Sequence, residues 1–296
     1  MKSSRQAFWI VGLTAAALAL WTGLRPWLPR SELAENNFQA NLIRIQAWQL
    51  DPHPPVVLVG SSLTGRLLPS YFEESPIGPG DGSDKSGGKI ISSKIANLGL
   101  DGSGPEAGLR LLLEDATTGS LPRAVLIEGH RLSKNWNAND DLLLETAKSL
   151  SIAVAGVVPG LRADTRPTSL LYYFLKRRST GGGTSAVPDA NVPAGEVPEP
   201  GWENRLKDLI DRLRAKNVRV LIYRLPAGRE NLPSASTEDP IEDIARKWSL
   251  PYLNVARECG QRDLPLTYSD GLHLTPGSAR QVVGVITELS RAVLSH

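Results

Sequence analysis

Residues 56–64, Val-Val-Leu-Val-Gly-Ser-Ser-Leu-Thr, constrain the fold more than any other stretch of the chain. A short apolar run, mostly β-branched and closed by Gly60, suits a strand buried on both faces. Such strands belong to parallel sheets covered by helices. Ser61 and Ser62 then stand just past the strand's carboxyl end, the side on which open α/β sheets bind ligands. The same residues also suit a Gly-Ser-Ser turn that merely reverses the chain. What the rest of the sequence brings to that edge decides between the two.

Downstream, apolar runs and helical stripes alternate. A second strand is expected over 90–98, followed by the glycine-rich string Asn97-Leu98-Gly99-Leu100-Asp101-Gly102-Ser103-Gly104 and a helix over 105–114. A third, 124–127, leads into Glu128-Gly129-His130-Arg131-Leu132. Helix 202–213, strand 218–223, helix 240–248, strand 252–255 and helix 276–294 complete the series. This order predicts one three-layer α/β/α domain over 56–296, with a parallel sheet of about five strands. Segments 75–89 and 179–201 are rich in Gly and Pro and read as loop insertions. Between the third and fourth strands, 140–159 and 167–178 are expected to be helical and strongly apolar. They could cover the sheet, which is the expectation, or rest on a membrane through an apolar face with a basic rim at Lys176-Arg177-Arg178.

Ahead of this domain, Lys2 and Arg5 precede an uncharged stretch from Ala7 to Leu24, so residues 1–30 read as a signal anchor or transmembrane segment. Its length nearly reaches the roughly 20 apolar residues of a membrane span, and Trp9, Trp21 and Trp27 suit interfacial positions. A cleaved signal peptide, with Ala17-Leu18-Ala19 as the cleavage site, is the competing reading. Either predicts export, to the periplasm or outer cell surface. Residues 31–55 hold an amphipathic helix, with Leu33, Phe38, Leu42, Ile45 and Leu50 as its stripe, and a proline-rich connector; packing or a stalk is its expected use.

Charge is nearly balanced, 33 Lys and Arg against 31 Asp and Glu, which gives no basic face for nucleic acid. Cys259 is the single cysteine, so neither an internal disulfide nor a cysteine metal cluster can form. No nucleotide loop or other cofactor motif occurs, and no cofactor is expected. Four histidines remain. His53 is placed at the amino end of the first strand and His296 ends the sequence, which leaves His130 and His273 at the productive edge. Asp270-Gly271-Leu272-His273 falls between the last strand and the last helix. In acyl transfer a serine hydroxyl needs a base, and the base needs a partner that fixes its tautomer. His273 could be the base for Ser62 and Asp270 its partner, a task a backbone carbonyl can share.

Taken in order, these blocks resemble the SGNH, or GDSL, hydrolase superfamily. Gly60-Ser61-Ser62-Leu63-Thr64 is similar to the GDSLT block, with Ser62 at the nucleophile and Ser61 where an Asp is usual. Asn97 to Gly102 is similar to the second block, which implies Gly102 as an oxyanion-hole glycine. Asp270 and His273 match the DxxH block. His130 takes the position of the oxyanion-hole Asn, with Asn135 or Asn137 as less well-spaced substitutes. The resemblance implies a flavodoxin-like fold and a Ser62–His273–Asp270 triad, with an oxyanion hole from Ser62, Gly102 and His130. It further implies an esterase or O-acyltransferase acting on a short acyl, such as acetyl, ester of envelope carbohydrate, anchored by the N-terminal helix and working alongside a membrane-bound acyltransferase. The alternative is a catalytically weakened domain that serves as a carbohydrate-binding or assembly subunit.

Overall fold

The computed structural model describes residues 2–24, 27, 30–34, 36–51, 55–74, 95–115, 121–178, 198–228 and 239–294. Five apolar runs become strands: β1 (Val56–Gly60), β2 (Ile95–Gly99), β3 (Ala124–Glu128), β4 (Arg219–Arg224) and β5 (Tyr252–Asn254). They form one sheet in the order β2-β1-β3-β4-β5, every pair parallel. This is a doubly wound order whose switch point, where a crevice opens at the carboxyl ends, lies between β1 and β3.

The helices are α1 (Lys2–Leu24), α2 (Asn37–Leu50), α3 (Ser62–Gly65), α4 (Pro69–Glu73), α5 (Pro105–Asp115) and α6 (Ala138–Ala147). They continue with α7 (Leu150–Val157), α8 (Pro167–Arg178), α9 (Trp202–Ala215), α10 (Pro240–Lys247), α11 (Val255–Gln261) and α12 (Pro276–Leu294). Because strand side chains alternate between faces, the sheet feeds two cores. Val56, Leu58, Leu126 and Tyr223 pack with Val282, Val283 and Ile286 of α12 on one side. Val57, Val59, Ile127 and Ile222 pack with Leu109 of α5 and Leu206 and Ile210 of α9 on the other. A third cluster joins Leu42, Ile43 and Ile45 of α2 to Leu111 of α5, Leu143 of α6 and Ile152 of α7.

Several local outcomes follow from chain chemistry. The Asn36 carboxamide accepts from Gln39 N–H at 2.9 Å and starts α2. Segment 140–159 is two helices rather than one: α6 opens on a capping box between Asn137 and Asp140 and stops before Ser149, where α7 begins. The expected last strand stops one residue early because the Asn254 side chain caps α11 by accepting from Arg257 N–H at 2.8 Å. The sequence pattern predicts no helix over 256–261. Insertion 75–89, residues 90–94 of the expected second strand, most of 179–201, His53 and His296 lie outside the described residues.

The N-terminal segment agrees with its expectation as an anchor or signal segment, and helices α7 and α8, between β3 and β4, depart from theirs. Residues Gln6–Leu24 form one helical stretch of 19 residues with a mean hydropathy of 1.8 and no burial, long and apolar enough to cross a membrane as an anchor or to serve as a signal sequence. Helices α7 and α8 do not cover the sheet as expected: Ile152 of α7 packs into the cluster with α2, α5 and α6, and Leu150, Val157, Leu171 and Leu175 face outward.

Candidate active site

At the carboxyl end of β1 the chain turns directly into α3, whose first residue is Ser62. The Ser61 hydroxyl caps this short helix by accepting from Leu63 N–H at 3.3 Å. The half-buried Ser62 presents its Oγ 2.8 Å from His273 Nε2, across 211 residues of sequence. His273 Nδ1 in turn lies 2.6 Å from Asp270 Oδ2. The carboxylate can only accept, so the proton sits on Nδ1 and the Nε2 lone pair faces the serine.

Spacing explains why Asp270 can do this. Its Oδ1 accepts from the N–H groups of Leu272 at 3.0 Å and His273 at 2.7 Å, closing its own turn, while Oδ2 is left for the imidazole. The loop is closed at its base by the Tyr268–Leu274 bridge and by Ser269 N–H donating to the His273 carbonyl at 2.8 Å. Partial burial pushes the Asp270 carboxyl up, but the hydrogen bonds from the His273 amide, its ring and the Leu272 amide outweigh it and bring the pKa down to about 2. Asp270 is therefore ionised at every ordinary pH.

The turn that carries Ser62 is built around a carboxylate that the sequence reading passed over. Glu128, the last residue of β3, is fully buried. Its Oε1 accepts from the Ser61 hydroxyl at 2.7 Å. Its Oε2 accepts from Ser61 N–H at 2.9 Å, Thr64 N–H at 3.1 Å and the Thr64 hydroxyl at 2.5 Å. Since Thr64 gives its one hydroxyl proton to Glu128, the Tyr223 hydroxyl, 2.6 Å away, must donate to Thr64. Burial, and then the neighbouring Glu128 charge, raise the Tyr223 pKa well above that of an ordinary phenol, which keeps this donor protonated. Gly60 is required by the same arrangement: a Cβ there would fall 2.3 Å from Thr64 Oγ1 and 2.5 Å from Glu128 Oε2.

Two further groups brace the other side of α3. Asn97 of β2 donates to the carbonyls of Thr64 at 2.8 Å and Leu67 at 2.6 Å, and accepts from Gly99 N–H at 2.7 Å. From α2, the Arg44 guanidinium donates to the Gly99 carbonyl at 2.6 Å, to Asp101 Oδ1 at 3.2 Å and to the Gly65 carbonyl at 3.0 Å. Burial lowers the Arg44 pKa and the Asp101 carboxylate opposes that shift. The Asn41 side chain pairs with both backbone groups of Asp101, at 2.7 and 3.0 Å. Helix α2, read from sequence as packing or stalk, thus clamps the loop after β2 to the helix that carries Ser62. Gly99 permits that closeness, since a Cβ on it would stand 2.3 Å from Gly65 N.

Gly102 and His130 occupy the turns after β2 and β3, which flank β1 in the sheet. Gly102 adopts φ +81°, its carbonyl accepts from the Lys134 ammonium, and the Asn139 amide lies where a Cβ would approach it within 3.2 Å. His130 is half-buried. Of the substitutes, Asn137 is committed to capping α6 and Asn135 Oδ1 accepts from Glu199 N–H at 2.7 Å. Direct hydrogen bonds therefore join Ser62, His273 and Asp270, whereas Gly102 and His130 share their sheet edge. Glu128 had a visible signal, a carboxylate closing an otherwise apolar strand; Arg44 had none, because the pattern puts it on the polar side of an amphipathic helix. No protein-family model matches this chain, and no curated protein does.

Proposed function

We propose that this chain is a serine-dependent acyl-ester hydrolase or O-acyltransferase of the SGNH type. The hydrogen-bonded line Ser62 Oγ–His273 Nε2 at 2.8 Å and His273 Nδ1–Asp270 Oδ2 at 2.6 Å carries the reading. Nucleophile, base and orienting carboxylate stand in the order acyl transfer needs. The placement of Ser62 beside the β1/β3 switch point, where α/β sheets bind ligands, supports it. So does the strand order, which suits the flavodoxin-like fold of that superfamily.

In the proposed reaction Ser62 Oγ attacks the acyl carbonyl carbon and passes its proton to His273 Nε2. Asp270, ionised, stabilises the resulting imidazolium. The tetrahedral oxyanion is met by the N–H groups of Ser62 and Gly102 and by the His130 ring. Collapse breaks the ester C–O bond; the departing alkoxide takes the proton from Nε2 and leaves an acyl group on Ser62. A second hydroxyl, from water or from a sugar, loses its proton to Nε2, attacks the acyl carbon and restores Ser62. The product is a free acid in one case and a new ester in the other. An acetyl or similarly short acyl ester of envelope carbohydrate is the proposed substrate, reached by a domain held outside the cytoplasm by α1, in the periplasm or at the outer surface. A membrane-bound acyltransferase is the proposed partner as acyl donor.

The test is mass spectrometry of the full-length protein after reaction with a fluorophosphonate. An adduct on Ser62 that is lost in Ser62→Ala and reduced by orders of magnitude in His273→Ala is expected. A folded wild-type protein that takes no adduct would overturn the reading in favour of a binding or assembly subunit.

A further inference from the structure

We infer that the outer face of α7 and α8 docks onto the phospholipid bilayer at the point where α1 leaves it, an inference that rests on reading α1 as a membrane span. Helix α7, Leu-Ser-Ile-Ala-Val-Ala-Gly-Val, carries one polar side chain. It turns Ile152 and Ala155 inward, yet leaves Leu150 78% and Val157 83% exposed. On α8, Leu170 is buried while Leu171 and Leu175, one helical turn apart, are 60% and 59% exposed. Leu150 with Val157, and Leu171 with Leu175, are spaced to lie on one side of their own helix, and apolar exposure grouped in this way marks a contact surface rather than ordinary solvent-facing structure.

Position identifies the surface it meets. The 3₁₀ turn Pro159–Leu161 that follows α7 packs on the last turn of α1, where a Cβ on Gly160 would lie 2.5 Å from Thr22 Oγ1 and 3.1 Å from Trp21 Cδ1. Trp21 is three residues from the end of the span at Leu24, about 5 Å at the rise of an α-helix. With α1 filling the hydrocarbon layer, the turn lies at the boundary into which interfacial helices sink by about 5–10 Å. The exit is held stiffly. Arg30 and Arg162 both grip Asp51, at 2.9 and 2.8 Å, and Ser31 N–H donates to the Asp164 carbonyl at 2.9 Å. These contacts tie the chain just past α1 to the segment after α7, beside the packing of Gly160 on Trp21 and Thr22.

Charge in the sequence favours lipid: Leu175 is followed by Lys176-Arg177-Arg178, a basic run that suits anionic headgroups. Helices α6 to α8 depart from the carboxyl end of β3, the edge that also carries Ser62. Docking therefore holds that edge at a fixed height over the headgroups.

The test uses full-length protein in vesicles of phosphatidylethanolamine and phosphatidylglycerol. Single variants Val11→Cys, Val157→Cys, Leu171→Cys and Arg246→Cys carry an environment-sensitive dye; wild type, with Cys259 buried, is the unlabelled control. Lipids bearing a quencher near the headgroup should dim the dye at 157 and at 171 by about twofold or more relative to 246, as interfacial burial requires. Position 11 should respond to a quencher deep in the acyl chain. If 11 is quenched but 157 and 171 behave like 246, α1 spans and the docking inference is overturned. A blue-shifted dye at 157 that no lipid quenches would show protein covering the face and overturn it too. An unquenched position 11 would remove the span, and the docking inference with it.

Discussion

Replacing Glu128 tests whether the serine-bearing turn is held by a buried carboxylate. Glu128→Ala removes the acceptor from four donors at once. The two hydroxyls each keep the bond they accept, from Leu63 N–H and from Tyr223, and their protons can rotate towards another acceptor. The amides of Ser61 and Thr64 have no such way out, since neither can rotate and both are buried. Each orphaned buried donor costs about 1–3 kcal/mol, so the pair costs about 2–6 kcal/mol before any cavity is counted. That is a large share of the roughly 5–15 kcal/mol that holds a typical domain. Glu128→Gln should be much milder. Its amide oxygen can take the Oε2 position and keep three donors, its NH₂ can face Ser61 Oγ, and the Ser61 hydroxyl can turn to accept. What is lost is charge assistance, about 1–2 kcal/mol after the cost of burying the charge is also relieved. Denaturant unfolding in detergent, followed by near-ultraviolet circular dichroism, should therefore rank wild type above Gln and Gln well above Ala. Fluorophosphonate labelling of Ser62 should survive in Gln within about tenfold, as expected for a preserved geometry. An Ala variant as stable as wild type would refute the reasoning, and so would a Gln variant as damaged as Ala, which would make the charge itself the holding element.

Four other outcomes follow from the same geometry. Ser61→Asp puts a second carboxylate against Glu128, across a contact now 2.7 Å long, and should lower the unfolding midpoint; Ser61→Asp with Glu128→Gln should recover most of it, and failure to recover would show that side-chain size rather than charge is resented. Arg44→Ala strips donors from the carbonyls of Gly65 and Gly99 and leaves Asp101 unpaired, so unfolding should cost about 3–5 kcal/mol less than in wild type, with Arg44→Lys between the two. Asp270, with a pKa near 2 against an ordinary 3.8, adds stability that is complete above 3.8 and fades as pH falls towards 2, a dependence that Asp270→Asn should abolish in acid-unfolding curves; the same variant should slow Ser62 labelling by about 10⁴-fold through loss of the right imidazole tautomer. Cys259, its thiol pushed up to about 11 by burial, should resist iodoacetamide in the native protein and react only on unfolding, as read by intact mass.

How much of this was legible in the sequence differs from element to element. The β2, β3, β4 and β5 runs, the α5, α9 and α12 stripes and the α/β order were readable because hydrophobic periodicity reports burial locally. Val282, Val283 and Ile286 reveal a helix face whatever they pack against. Ser62 was legible as a candidate because it sits in a short polar string directly after a buried run, and Asp270 and His273 because they fall between the last strand and the last helix while the sequence places His53 and His296 off the productive edge. The α6–α7 break and α11 were not: at the break the Ser149 hydroxyl donates to the Thr146 carbonyl and α7 opens without a side-chain cap, while α11 turns on the Asn254 cap, and both depend on where the backbone has already been placed.

By itself, the sequence determined that this chain makes a parallel α/β sheet with serines at one strand exit and a histidine pair partner near its end, and that an apolar helix precedes it. Only the tertiary structure decided that Ser62 and His273 stand 2.8 Å apart, that Glu128 rather than a residue at position 61 supplies the carboxylate beneath the turn, and that Arg44 of α2 locks two loops together. The physical reason is separation along the chain. Burial leaves a periodic trace within a few residues, whereas a hydrogen bond between residues 61 and 128 or 44 and 99 exists only once the strand order has brought their backbones side by side.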